Sequence, residues 1–364
     1  MQIRSGLVQM AINLPFLKLK DRERTRVLAV DIGKFSTKAV YITLANGRYT
    51  FAGFTIVQSP DNILAFNPET VASLLKNIAN ILKLENAPTA VSIGPAFTII
   101  KTVEMPLLPV VELRKIIKNN PKVYLQQDLT DYVFDCHCLP PQVSSQQGSS
   151  PTTIKQRVIV GGAPTSVVNN IASGIRAAGL QAEGVVPGMI APINSLEHTL
   201  GENLSREVVA VVDLGYETSL ICVLDHGEPV LSRIVPVGGK HITEELTKVL
   251  KIEYTEAEEI KTSTPEAALI TLEQVVRPLG RELRALVDFF EHQYDRQVTR
   301  VFACGGSASS PPILQILESE LFVECKTWNP ATGMDIALPP EQLARFESAM
   351  PQLITATGCA LAVL

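Results

Sequence analysis

The sequence predicts an α/β protein built from two related lobes, and three observations carry that reading. Residues 27–30 form a short apolar run ending in Asp31-Ile32-Gly33, and residues 208–212 form another ending in Asp213-Leu214-Gly215. Set side by side, AVDIGKFSTKAVYI and VVDLGYETSLICVL share Val-Asp-(Ile/Leu)-Gly, then a hydroxyl residue, then a strand, so the chain contains an internal repeat. Finally, 364 residues with 46% apolar content exceed one ordinary core and suffice to fill two or three.

The first apolar run reads as a buried strand entering a tight turn, followed by a second β-rich run at 39–44 and an Asn46-Gly47 turn signal. Its counterpart repeats this with residues 220–224 and the turn Asp225-His226-Gly227, which makes a meander of paired strands in each half. Between the repeats, Val167, Ile171, Ile175 and Ala178 form a helical stripe closed by Gly179, as expected of a helix packed on a sheet. In the second half Val276, Leu279, Leu283, Leu286, Val287 and Phe290 form another, bounded by Arg281, Glu282, Arg284 and Asp288 and read as core packing. Residues 140–156 are too poor in apolar groups to fold and read as a flexible hairpin loop. A third strand, 301–303, runs into Gly305-Gly306.

Composition narrows the function classes. Lys plus Arg number 32 against 37 Asp plus Glu, a net charge of -5 that gives no electrostatic reason for a nucleic-acid partner. The cysteines at 136, 138, 222, 304, 325 and 359 are scattered like buried thiols in a reducing cytosol, and Cys136-His137-Cys138 lacks the second half of a zinc site. No stretch reaches the roughly 18 consecutive apolar residues of a membrane span. Residues 1–26 read as an N-terminal extension: 7–17 are mostly apolar, but Pro15 and the charged run 18–26 stand where a secretory signal has its cleavage site.

A carboxylate at a strand end, followed by Gly and small hydroxyl residues, can hold hydrated magnesium while backbone N–H groups wrap phosphate oxygens. Asp31-Gly33-Ser36-Thr37 and Asp213-Gly215-Glu217-Thr218 fit that arrangement, and two such turns facing each other would clamp one polyphosphate. Gly305-Gly306-Ser307 offers bare backbone to a flat base or ribose, and Gly238-Gly239 precedes a helix expected to begin near Thr243. Glu258 and Lys261 share a helical face, where they either reach a ribose hydroxyl and a base edge or form a solvated ion pair. Gly238-Gly239-Lys240-His241 does not fit a Walker A loop, having neither the upstream Gly spacing nor the hydroxyl after Lys.

Taken in order, these motifs resemble the phosphate-one, phosphate-two and adenosine signatures of the actin, chaperone-ATPase and sugar-kinase superfamily. The finer pattern is similar to the PilM family and its cousin FtsA, through VLAVDIGKFSTKAV, VEMPLLPVVELRKII, DLTDYVFDCHCL, AAGLQAEGV, YTEAEEIK, ELRALVDFFEHQ, VFACGGSASSPPIL and TATGCAL. The Met-Pro-x-x-Pro-x-x-Glu-Leu run at 105–113 and the run 233–243 are its most specific parts. The resemblance implies a bilobal actin-like (ribonuclease H-like duplicated) α/β fold with an FtsA/PilM-type inserted subdomain. It divides the chain into a first lobe at 27–102, completed by 185–206 and 341–364, with the insert at 103–184. The second lobe has its core at 207–236 and 299–340 and a small subdomain at 237–298.

Carried over by position, the resemblance places Asp31, Gly33, Ser36, Thr37 and Lys38 at the first phosphate turn and Asp213, Gly215, Glu217 and Thr218 at the second. Asp31 and Asp213 would hold Mg2+ through water, Gly238 and Gly239 would face phosphates or ribose, Glu258 and Lys261 ribose and base, and Gly305, Gly306 and Ser307 the adenosine of ATP. No carboxylate nearer than Glu183 leads into the helix before the second Asp-x-Gly, so binding is better supported than hydrolysis, expected to be slow or absent. The implied role is a cytoplasmic scaffold of type IV pilus assembly, peripheral at the inner membrane through the N-terminal tail of a PilN-like protein of the PilN/PilO complex, and coupled to pilus motor ATPases. Ile12-Asn13-Leu14-Pro15-Phe16 is similar to the Ile-Asn-Leu-Leu-Pro-Trp type of PilN tail; it reads either as an incidental match in a disordered extension or as a placeholder in the partner groove of its own or a neighbouring molecule, the latter a form of self-association. Two other readings compete: an FtsA-like division filament, whose basic amphipathic tail residues 357–364 lack, and a sugar or acetate kinase, whose acceptor-side base has no supporting motif here.

Overall fold

The structure, a computed structural model, describes residues 24–139, 155–263 and 266–364. Residues 140–154 of the hairpin loop expected over 140–156, and the Ile12–Phe16 tail-like segment, lie outside the described residues, while 155 and 156 already belong to a strand.

In the first half, β1 (Arg26–Ile32), β2 (Ser36–Ala45) and β3 (Arg48–Gln58) form an antiparallel meander, followed by α1 (Pro68–Ile81) and β4 (Pro88–Ile93). Then come β5 (Ile99–Pro106), α2 (Val110–Asn119), α3 (Pro121–Leu125), β6 (Tyr132–Cys138) and β7 (Lys155–Pro164). α4 (Thr165–Ala177), β8 (Gln181–Pro187) and α5 (Ile190–Leu200) lead into the second half. That half contains β9 (Val208–Leu214), β10 (Ser219–Asp225), β11 (Glu228–Val235), α6 (Gly239–Leu250), α7 (Tyr254–Ser263) and α8 (Glu266–Tyr294). It continues with β12 (Arg300–Cys304), α9 (Pro311–Leu321), β13 (Cys325–Lys326), β14 (Asp335–Ile336) and α10 (Pro340–Leu361).

The repeat becomes two sheets of one topology. The first runs β14-β3-β2-β1-β4-β8 and the second β11-β10-β9-β12-β13. In each, the central strand pairs antiparallel with its meander neighbour and parallel with the next strand along, β4 or β12. β1 and β9 read as near-continuous apolar runs because both of their faces are covered.

Five layers result. α1 and α4 cover the outer face of the first sheet through Val71, Leu75, Ile78, Val168, Ile171 and Ile175. α10 covers its inner face, where Phe346, Leu353 and Ala356 meet Val27, Ala29 and Phe51. Ile190, Ile193 and Leu196 of α5, with Ile354 of α10, pack against Val209, Val211 and Phe302 of the second sheet. α6, α8 and α9 close the far side, with Val276, Leu279, Leu283, Val287 and Phe290 buried as their spacing predicts.

Three boundaries differ from the sequence reading. The three-stranded insert sheet, β5-β7-β6, begins at Ile99 and has its own core around Leu113, Ile117, Phe134 and Val158. α4, expected within the insert, packs on α1 so closely that a Cβ on Gly174 would stand 2.6 Å from Val71 Cγ1. β14, expected in the second lobe, pairs with β3 in the first sheet, so the chain has already crossed back by Asp335.

α5 and α10 meet at backbone level: a Cβ on Gly358 would lie 1.6 Å from the Ala191 carbonyl oxygen. Gly358→Ala should therefore lower unfolding free energy by about 2–3 kcal/mol in urea melts. Gly94→Ala, which would meet nothing within 4 Å, should change it by less than about 0.5 kcal/mol.

Candidate nucleotide cleft

Each Asp-x-Gly turn is built the same way. Ile32 pairs with Thr37 across the first and Leu214 with Ser219 across the second. A Cβ on Gly33 would stand 2.6 Å from the Ser36 carbonyl oxygen, and one on Gly215 would stand 2.6 Å from that of Thr218. Glycine is thus needed at both for the same reason, close approach of the chain to itself.

The first turn is pinned from behind. Ser59 Oγ donates to the Gly33 carbonyl at 2.7 Å and lies 2.8 Å from Thr37 Oγ1, so buried Thr37 shapes the turn from beneath. Lys38 sits opposite Asp31 in the ladder and donates to the Ser36 carbonyl at 3.3 Å. Sequence reasoning missed Ser59, which stands at the end of another strand with no motif around it.

The two carboxylates lie close enough for Asp213 to act on Asp31 and for Lys38 to act on both. Burial pushes Asp31 up to about 7; Lys38 pulls it down and Asp213 pushes it further up. Asp213 is raised by the same desolvation, opposed by Lys38 and by a hydrogen bond from the Cys304 thiol. Two acids that feel one ammonium group and one another share a site. Cys304 is the parallel partner of Asp213 in the ladder, and burial holds its thiol well above the usual range, so it remains a neutral donor. Ser92 occupies the same register beside Asp31, and its buried hydroxyl has no hydrogen-bond partner among the described residues.

The remaining second-lobe residues gather behind Asp213. Gly305 has φ +93°, and a Cβ there would stand 2.7 Å from Asp213 Oδ1 and 2.5 Å from the Leu214 carbonyl, so only glycine fits. Gly306 is open, with nothing within 4 Å of a Cβ, while Ser307 is buried against Gly239. α6 begins at Gly239 and not near Thr243, because the Gly239 and Lys240 amides donate to the Gly215 and Tyr216 carbonyls, each at 2.8 Å. Gly238 and Gly239 therefore support the second turn from beneath.

Glu258 and Lys261 are joined at 2.7 Å, but the pair is not a solvated one. Lys261 is 5% exposed and also donates to Thr243 Oγ1 at 3.0 Å and to the Gly239 carbonyl at 3.4 Å. Burial lowers its pKa while Glu258 holds it up, so the pair locks α7 onto the start of α6. At the turn tips, Glu217 and Thr218 are exposed, and Glu217 faces Lys34 of the first lobe at 2.5 Å.

Two sheets of matched order, joined by α5 and α10 and closing their first turns on a common crevice, define the actin-like fold. A chain from a PilM–PilN type IV pilus biogenesis complex superposes with a TM-score of 0.78 at 20% identity, covering 94% of this chain and 99% of that one. The ethanolamine utilization protein EutJ from Carboxydothermus hydrogenoformans does so at 0.52 and 18% identity, covering 94% and 91%. The chain belongs to the type IV pilus assembly protein PilM family, whose profile matches residues 29–363.

Among curated proteins, cell division protein FtsA of Streptococcus pneumoniae is 24% identical over 125 residues, 34% of this chain. FtsA of Neisseria meningitidis is 30% identical over 138 residues, 37% of this chain. These matches span only 27% and 32% of the two relatives' own lengths.

The raised Asp31 carboxyl has a measurable signature. An unfolded aspartate titrates near 3.8 and folded Asp31 at about 7, so between those values the native state retains a proton that the unfolded chain has lost. Stability thus falls as pH rises through that window and stays lower above it. Asp31→Asn should flatten the profile and be more stable than the parent at about pH 8 by on the order of 2 kcal/mol, read from urea melts at about pH 5 and pH 8.

Proposed function

We propose that the chain is an ATP-binding scaffold of type IV pilus assembly, whose lobes set their angle by what the crevice holds. The observation that carries this reading is the nearness of Asp31 to Asp213, two buried carboxylates that both feel Lys38. With both acids ionised, one ammonium leaves a net negative site, and a divalent cation with a polyphosphate supplies the missing charge and its counter-ligand. The residues fit such a group: two carboxylates could hold hydrated Mg2+, the turns at Gly33 and Gly215 carry no side chain there, and Gly306 leaves open space. Bound Mg2+ would supply charge neutralisation on the phosphates. The chain's own part is to orient them between the turns.

Hydrolysis is slow or absent in this reading. Glu183, the nearest carboxylate before α5, is held by Arg24 at 2.6 Å, so the segment leading into that helix offers no free base. Wild-type protein should bind Mg-ATP by calorimetry and release ADP slowly. Asp213→Ala should weaken binding at least about tenfold by removing one of the two carboxylates that would hold the cation. Mg-independent or undetectable binding by the wild type would overturn the reading.

The partner, on this reading, is the short cytoplasmic tail of a PilN-like membrane protein, with onward coupling to the pilus motor. No helix among the described residues is long and apolar enough to cross a membrane, so attachment to the inner membrane passes through that partner. A groove of about 320 Å³ separates two unpaired strand edges, β5 of the insert and β11 of the second sheet. Ile99, Ile100, Leu125, Met189 and Ile234 line it, and an extended tail could add to either edge while its apolar side chains enter the groove. Ile234→Asp should weaken binding of a synthetic tail peptide about tenfold in fluorescence anisotropy. Unchanged affinity would place the tail elsewhere. The family match over nearly the whole chain favours this role over a division filament, because the FtsA likenesses cover only a third of the sequence.

A further inference from the structure

Lys34 and Phe35 stand at the tip of the first turn, Tyr216 and Glu217 at the tip of the second. Phe35 and Tyr216 stack across the cleft, with ring centroids 4.9 Å apart and planes 19° from parallel. Beside them Lys34 Nζ meets Glu217 Oε1 at 2.5 Å. Neither contact supports its own lobe. The first turn is held by Gly33 and Ser59, and the second by Gly215 and the amides that start α6. Phe35 is 44% exposed even when stacked on Tyr216.

The contact extends into the second lobe. Tyr216 Oη lies 3.3 Å from Tyr254 Oη, at the start of α7, the helix that carries Glu258 and Lys261. Lys240, on α6, stands 3.8 Å from Glu217, so that carboxylate faces two cations at the cleft mouth. A carboxylate so placed would repel a phosphate approaching it directly, and its lysine partners account for it without one.

We propose that Lys34, Phe35, Tyr216 and Glu217 form a latch across the mouth of the crevice that sets how fast a nucleoside triphosphate enters and leaves. The proposal rests on the nucleotide reading of the crevice and adds the regulation of that site. Asp31, Lys38 and Asp213 sit at the strand ends next to the tips, so the tip contacts border the way a ligand takes to them. Parting breaks the stack and the ion pair together. Because both contacts lie outside the carboxylates, they re-form behind a bound ligand, and the latch changes entry and exit rates more than affinity. Through Tyr216 and Tyr254, α7 registers whether the lobes are closed.

The test uses the full chain and two readouts. In nucleotide-free protein, Phe35→Ala should speed amide hydrogen exchange at residues 33–36 and 215–218 by about two- to tenfold. In stopped flow, it should speed both association and release of a fluorescent ATP analogue with Mg2+ by a similar factor. Phe35→Tyr, which retains the stack, should behave as wild type in both. Unchanged amide exchange in Phe35→Ala would overturn the latch, and faster amide exchange with unchanged nucleotide rates would overturn its control of entry. Faster amide exchange with no nucleotide binding by any of the proteins would leave the cross-lobe contact standing and overturn the nucleotide reading beneath it.

Discussion

The architecture depends on one crossing. Where α10 passes α5, Gly358 brings the two backbones so close that no side chain fits between them. That contact lets a pair of helices act as the single layer shared by both sheets, each helix packing on strands of one or both lobes. Gly305 completes the tie, since its amide donates to the Pro351 carbonyl of α10 at 2.9 Å and so fixes the second-lobe glycine loop to the first-lobe helix. Bulk at Gly358 would spread the helices, and everything that depends on the meeting of β1 with β9 would shift with them.

The crossing has an electrostatic consequence. It brings the ends of β1 and β9 together, and each ends in an aspartate. Two carboxylates are thereby placed where solvent is scarce, and Lys38 is the cation that both feel. Such a site is poorly satisfied when left alone, which gives a ligand of suitable charge a strong differential interaction with the closed arrangement. On the proposed reading, the coupling between cleft contents and lobe angle is a matter of charge.

The parts outside the shared architecture differ in what they leave open. The second sheet ends on β11 and the insert sheet on β5, and both edges border the same groove. Unpaired strand edges are ordinarily covered or blunted, so two that face one cavity are suited to an extended chain. The turn tips show the opposite situation: exposed aromatic and charged groups that would be unremarkable in either lobe alone are matched across the cleft.

Much of the fold was legible in the primary structure, because the repeat is local. Asp31-Ile32-Gly33 and Asp213-Leu214-Gly215 each encode strand, turn and strand within a dozen residues, and helix stripes such as Val276 to Phe290 show their buried face by spacing alone. The actin-like class and the PilM family were legible for the same reason, since the identifying residues lie in short contiguous runs. What the sequence could not show were relations set by packing between distant segments: α4 joining α1 instead of the insert, β14 crossing to the first sheet, and Ser59 reaching back to Gly33. For Lys261 and Glu258 the spacing left a solvated pair and a ribose-and-base contact open, because helical spacing reports which groups share a face but not what covers it; Gly239 and Thr243 cover Lys261. The sequence by itself determined the two strand–turn–strand units, since each pairs within a dozen residues. Only tertiary structure decided that they face one another, because that depends on the approach of Gly358 to Ala191, and no local pattern encodes the distance between two helices.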